Sequence, residues 1–105
     1  MRQARAVLDA KKGENIIALD VRKLSAVTDY HVLCTGSNSR HLKALVDDCE
    51  NVLGGSGAKA YRRSGTPESG WIILDYVHFV IHVFTEQARE HYALETLWKD
   101  APRLK

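Results

Sequence analysis

Two short apolar runs lie almost back to back in the second half of this chain, Trp71-Ile72-Ile73-Leu74-Asp75-Tyr76 and Phe79-Val80-Ile81-His82-Val83-Phe84, joined by a tight turn at Tyr76-Val77-His78. Segments this brief and this continuously apolar suit central strands covered on both faces, so the chain must also supply the cover. The best-marked helix answers that need. Leu42, Leu45, Val46, Cys49, Val52 and Leu53 are spaced along one face, while Arg40, Lys43, Asp47, Asp48 and Glu50 populate the other. The polar cluster Gly36-Ser37-Asn38-Ser39 starts this helix, with Ser37 or Asn38 capping its first free amides, and Gly54-Gly55 ends it.

The remaining pattern is shorter. Ala4, Val7 and Leu8 recur at helical spacing before Lys11-Lys12-Gly13, and Ile16 to Val21 then read as a strand. Tyr30 to Thr35 form a second strand, and Ala58 to Arg62 a short one near an edge, followed by the polar loop Ser64 to Gly70. Thr85 caps a last helical segment through Arg89 and His91, and Leu94, Leu97 and Trp98 pack the tail before Ala101-Pro102-Arg103 stops it. The order predicts a single α/β domain over 1–105, an α/β sandwich with a mixed five-stranded sheet in which the long helix crosses between the second and third strands. At 105 residues there is no room for a second core of useful size.

Several functional classes are disfavoured. No apolar stretch approaches the length of a membrane span, and the N-terminus lacks a signal-peptide core, so a soluble cytoplasmic protein is expected. A net charge of +2, with basic residues spread along the chain, gives no argument for DNA binding. Cys34 and Cys49 fall in apolar settings that suit buried free thiols. None of the five histidines forms a helical His-x-x-x-His pair or groups with cysteine at zinc-ligand spacing. His82, between Ile81 and Val83, suits a hydrogen-bonded structural imidazole better than a metal ligand. His41, in the first turn of the long helix, suits a partner contact or water alike, and His78 sits in an exposed turn.

The strand, Gly36-Ser37 turn and helix are similar to the nucleotide-holding start of nucleotidyltransferases. Those enzymes need an acid-x-acid pair on the next strand, where this chain reads Ala58-Lys59-Ala60, so no cofactor or catalytic residue is expected. Trp71, Asp75 and Tyr76 bracket one apolar strand and include residue types common as interface anchors. On the residues alone Trp71 fits core and interface equally, whereas Asp75 and Tyr76, entering the turn, are expected to be exposed. Arg89 and Tyr92 either extend such a patch or close the helix end.

Leu19-Asp20-Val21, Leu24-Ser25, Thr28-Asp29-Tyr30 and Thr35-Gly36-Ser37-Asn38-Ser39-Arg40-His41 resemble the first half of RsfS (Iojap-like) ribosomal silencing factors. Gly70 to Tyr76, His82-Val83-Phe84, Arg89-Glu90 with Tyr92, and Leu94-Glu95 through Leu97-Trp98 to Asp100-Ala101-Pro102 are similar to the family's C-terminal signature. The agreement is collinear over nearly the whole chain. Two departures stand out: Val77-His78 replaces the family's usual Gly-Asp turn, and Gly54-Gly55-Ser56-Gly57 is richer in glycine than the family's helix end.

The resemblance implies a nucleotidyltransferase-like topology without catalytic carboxylates. It also implies a non-enzymatic protein that binds the large-subunit ribosomal protein uL14 and sterically blocks association of the small and large subunits, repressing translation. Carried onto this sequence, Trp71, Asp75 and Tyr76 are the expected contacts, with Leu74, Arg89 and Tyr92 as neighbours. Asp75 would face a basic side chain, while Trp71 and Tyr76 would offer apolar area with polar tips. A homodimer is a further implication, since an apolar surface offered to the ribosome can pair with itself when free.

Overall fold

The computed structural model describes residues 2–26, 28–55, 57, 60 and 62–104. Helix α1 (Arg2–Ala10) leads into β1 (Glu14–Asp20) and β2 (Tyr30–Gly36), and α2 (Ser39–Gly55) follows. Three strands come next, β3 (Arg62–Thr66), β4 (Trp71–Asp75) and β5 (Phe79–Thr85), and the chain closes with α3 (Glu86–Tyr92), α4 (Leu94–Leu97) and β6 (Arg103–Leu104). The strands form one mixed sheet in the order β3-β4-β5-β2-β1-β6. The β2–β5 pair at its centre is parallel and the other pairs are antiparallel.

Side chains alternate across the sheet, and the two sides are covered differently. On the inner side Ala18, Val32, Cys34, Ile72, Leu74, Ile81 and Val83 pack against Ala4 and Leu8 of α1 and Leu42, Leu45, Val46, Cys49 and Leu53 of α2. Each fully buried Val, Leu or Ile side chain here contributes about 1.5–3 kcal/mol. On the outer side Leu19, Val21, Leu33 and Phe84 form a smaller core with Ala101, and Ala88, Leu94, Trp98 and Trp71 lean on it.

The helix boundaries follow local chemistry. Asn38 accepts the His41 backbone N–H at 2.9 Å and so caps α2. His41 in turn accepts the Ser37 N–H at 2.9 Å through Nδ1, and its Nε2 reaches the Lys11 carbonyl at 2.9 Å. It therefore ties the α1–β1 connection to the start of α2. Gly54 and Gly55 stay within the helix, and the left-handed residue that follows is Gly57 at φ 91°. Val52, expected on the apolar face, is 39% exposed.

The sheet differs from expectation at both edges. It has six strands rather than five, because Arg103 and Leu104 pair with Leu19 and Ala18. The third strand was expected at Ala58 to Arg62, of which positions 58, 59 and 61 lie outside the described residues. The strand described is Arg62–Thr66, including three residues expected to be loop. It is an edge strand held by backbone pairing with β4, so it needs little apolar character. Gly65, at φ 84°, passes so near the Trp71 carbonyl that a Cβ would sit 2.1 Å from its oxygen.

The β4–β5 turn carries Val77 at φ 73°, a left-handed conformation in which a β-branched residue is strained by about 1–2 kcal/mol. Its side chain is 47% exposed, so packing returns little of that cost. Val77→Gly should raise stability by up to about 1 kcal/mol, net of glycine's greater unfolded-state freedom. Chemical denaturation tests this: a higher midpoint is expected, and an unchanged or lower one would show that the turn is unstrained.

Candidate functional site

Strand β4 sorts the expected contact residues by parity. Ile72 and Leu74 point inward to the α2 side, while Trp71, Ile73 and Asp75 share the outer side and are half-buried. Across the ladder Trp71 stands between Thr66 and Phe84, Ile73 between Ser64 and His82, and Asp75 between Arg62 and Val80. The outer face of β3 and β4 therefore presents apolar, hydroxyl and charged groups side by side beyond the edge of α3.

Trp71 is the centre of that face. Its ring lies 4.3 Å from Tyr92 and 5.7 Å from Phe84, centroid to centroid, and its Nε1 donates to His82 Nδ1 at 3.2 Å. His82 Nε2 is 3.0 Å from His31 Nδ1, and the His31 ring stands 5.4 Å from Trp98. An indole N–H can only donate, so His82 Nδ1 carries no proton. In the neutral imidazole the proton is then on Nε2 and is donated to His31 Nδ1. Burial, followed by the charge His31 would carry, pushes the His82 pKa down to about 3, and burial lowers that of His31 as well. His82 is thus the structural, hydrogen-bonded imidazole that its strand setting suggests.

Of the other expected contacts, Tyr92 is 48% exposed and Asp75 is half-buried, with its Oδ1 accepting the Val77 N–H at 2.8 Å. The structure places the remaining three inside. Leu74 is fully buried in the α2-side core. Tyr76, expected at the surface, is 8% exposed and stacks on Phe79 at 4.9 Å, because residue 76 has the inward parity of Ile72 and Leu74. Arg89 is also 8% exposed. It donates through Nε to Glu95 at 2.7 Å and through Nη1 to the Asn15 carbonyl and Thr35 Oγ1, both at 2.8 Å. Its guanidinium clamps α3 to β1, β2 and α4. Ile73, His82 and His31 belong to the outer face without having been singled out for it, although strand alternation from Trp71 marks Ile73 directly.

Burial pushes both Cys34 and Cys49 thiols to about 12, far from the thiolate a nucleophile needs. Among the described residues no group of three or more His, Cys, Asp or Glu is arranged to hold a metal ion. At the Gly36-Ser37 helix start the backbone N–H groups of Ser37 and His41 already donate to side chains, His41 and Asn38 respectively. The stretch Ala58-Lys59-Ala60 lies outside the described residues at 58 and 59.

The family described as "Ribosomal silencing factor during starvation" matches residues 1–105. The chain belongs to the RsfS family of ribosomal silencing factors. Membership gives it a ribosome-associated silencing role. It is 34% identical over 99 residues to ribosomal silencing factor RsfS of Bacillus subtilis (strain 168), covering 94% of this chain and 84% of that protein. A crystal structure of a Chromobacterium violaceum protein superposes with a TM-score of 0.89 at 30% identity, covering 93% of this chain and 82% of that one. A mouse relative named mitochondrial assembly of ribosomal large subunit protein 1 is 27% identical over 96 residues, which span 89% of this chain and 42% of its own length.

The histidine pair makes stability depend on pH with a definite sign. Unfolded His82 titrates near 6.5 and folded His82 near 3, so between those values the unfolded chain binds more protons. Its contribution is complete above about 6.5 and is lost as the pH falls toward 3, with a slope of at most about 1.4 kcal/mol per pH unit. Urea denaturation from pH 7.5 to 4.5 should show this slope in the parent chain and a shallower one in His82→Gln. Parallel slopes would show that His82 is not held neutral by the fold.

Proposed function

We propose that this chain docks through the outer face of β4 and α3 on the large ribosomal subunit, at ribosomal protein uL14, and sterically prevents the small subunit from joining. The observation that carries this reading is the aromatic and acidic strip of Trp71, Tyr92 and Asp75, left partly uncovered on one side of a sheet whose other side is sealed by α1 and α2. The family membership supports a ribosomal target, and the name of the mouse relative supports the large subunit as the one bound. Silencing by occupancy requires no bond-making step, and none of the groups above is poised for one.

In this reading Trp71 and Tyr92 supply the apolar contact and Asp75 faces a basic side chain of the ribosomal protein. Leu74 and Tyr76 support the face from the inner side of the sheet, and Arg89 holds α3 in place beside it. Residues 1–105 act as one RsfS/Iojap-like domain in the cytoplasm, and the same strip can pair two copies as a homodimer when no ribosome is present.

Sedimentation of purified subunits with and without the protein tests the proposal. The protein should travel with the large subunit and joined ribosomes should decline, whereas a protein left at the top of the gradient with joining unchanged would contradict it. Tyr92→Ala and Asp75→Asn should each weaken large-subunit binding by about 1 kcal/mol or more while the protein stays folded, since Asn keeps an acceptor for the Val77 N–H. Tyr76→Ala should instead cost about 3–5 kcal/mol of folding stability.

A further inference from the structure

We propose that His82 is a positioning residue of the docking face: by accepting the Trp71 indole hydrogen it holds that ring in one pose and leaves it a purely apolar contact. The inference rests on the docking function proposed above and adds a constraint on how Trp71 meets its partner. Trp71 is half-buried, and Tyr92, one of the rings packed against it, is itself 48% exposed. Phe84 and Tyr92 give the ring contacts with no polar direction, so the hydrogen bond to His82 is what orients the indole N–H, and ordering such a side chain on binding lowers affinity.

The constraint comes from below. His82 is 6% exposed, and rotation of Trp71 away would strand its Nδ1 without a donor in an apolar setting. His31 completes the arrangement by accepting from His82 Nε2, which keeps Nδ1 free of a proton and able to accept. His31 is backed by Trp98, at the C-terminal end of α4. A single line of contacts thus runs from Tyr92 through Trp71, His82 and His31 to Trp98, joining α3, β4, β5, β2 and α4.

The arrangement also specifies the partner's chemistry. Because the indole N–H is spent internally, the surface opposite Trp71 has nothing to gain from a hydrogen-bond acceptor there and should be aliphatic. A cation belongs opposite Asp75, whose Oδ1 accepts the Val77 N–H and whose carboxylate, half-buried, keeps acceptor capacity beyond that bond.

Two substitutions separate positioning from packing. His82→Asn puts Oδ1 where Nδ1 stood and keeps the acceptor for Trp71, whereas His82→Gln reaches the Nε2 position and keeps only the link to His31. The Trp71 indole N–H resonance of the full chain, assigned with the help of Trp98→Phe, reports the pose. Co-sedimentation with purified large subunits reports affinity, and thermal melts report folding. H82N should retain the parent's indole shift and bind within about threefold of the parent, while H82Q should move the resonance upfield and bind about tenfold more weakly at similar folded fraction.

Indole shifts unchanged in both variants, or equal affinity losses in both at matched stability, would overturn the proposal. Trp71→Phe serves where H82Q fails to fold: it keeps an apolar ring without the donor, should bind about tenfold more weakly, and would overturn the proposal by binding as the parent does. A parent chain that does not sediment with the large subunit would remove the docking function, and the indole resonance would then decide the His82 constraint alone.

Discussion

The parallel pairing of β2 with β5 is the constraint on which the rest of the architecture depends. It runs from Tyr30 opposite Phe79 to Gly36 opposite Thr85 and lies at the centre of the sheet. A parallel pair cannot be closed by a hairpin, so after Gly36 the chain must cross back to the end of the sheet where β2 began before β5 can start opposite Tyr30. Helix α2 makes that excursion and seals the inner face, and the β3–β4 hairpin extends the sheet before β5 takes its place. Both central strands also end on the same side, which brings the starts of α2 and α3 together beyond Gly36 and Thr85.

The two faces then acquire unequal cover. α2 has 17 residues and works with α1, whereas the outer face has α3 and α4 of 7 and 4 residues and the C-terminal segment. Elements that short protect the centre of the sheet and leave β3 and β4 partly open. Arg89 fixes the boundary of that cover, because its bonds to Thr35, Asn15 and Glu95 hold α3 and α4 over β2 and β1. Trp71 and Tyr92 lie at the edge of this cover and stay partly open.

Much of the fold is legible in the sequence because the apolar spacing of α2 and the runs of β4 and β5 have few competing interpretations. The edges are not. β3 is written in Arg62-Arg63-Ser64-Gly65-Thr66, which carries no apolar alternation because it is held by backbone pairing to β4 and by the Arg63 ion pair with Glu50 of α2, and β6 spans two residues. The site was legible in part. Trp71 and Asp75 are half-buried and Tyr92 is 48% exposed, but nearness to the turn misplaces Tyr76, and Leu74 is fully buried. Strand alternation counted from Trp71 separates these residues without any structure. The reverse holds for Arg89: nothing in its sequence neighbourhood shows that Thr35 and Asn15, far away in the chain, absorb its hydrogen bonds. The same distance hides the His31–His82–Trp71 chain, which exists only once β2, β5 and β4 lie side by side.

The outer face as the ribosome-facing surface is tested most directly by photo-crosslinking from single positions. A crosslinking residue at position 92, on the outer face, should capture a protein of the large subunit, while one at position 44, on the exposed side of α2, should capture none. Capture from position 44 with silence from position 92 would mean that the chain meets the ribosome with α2, and the aromatic strip would then be a stabilising feature of the fold.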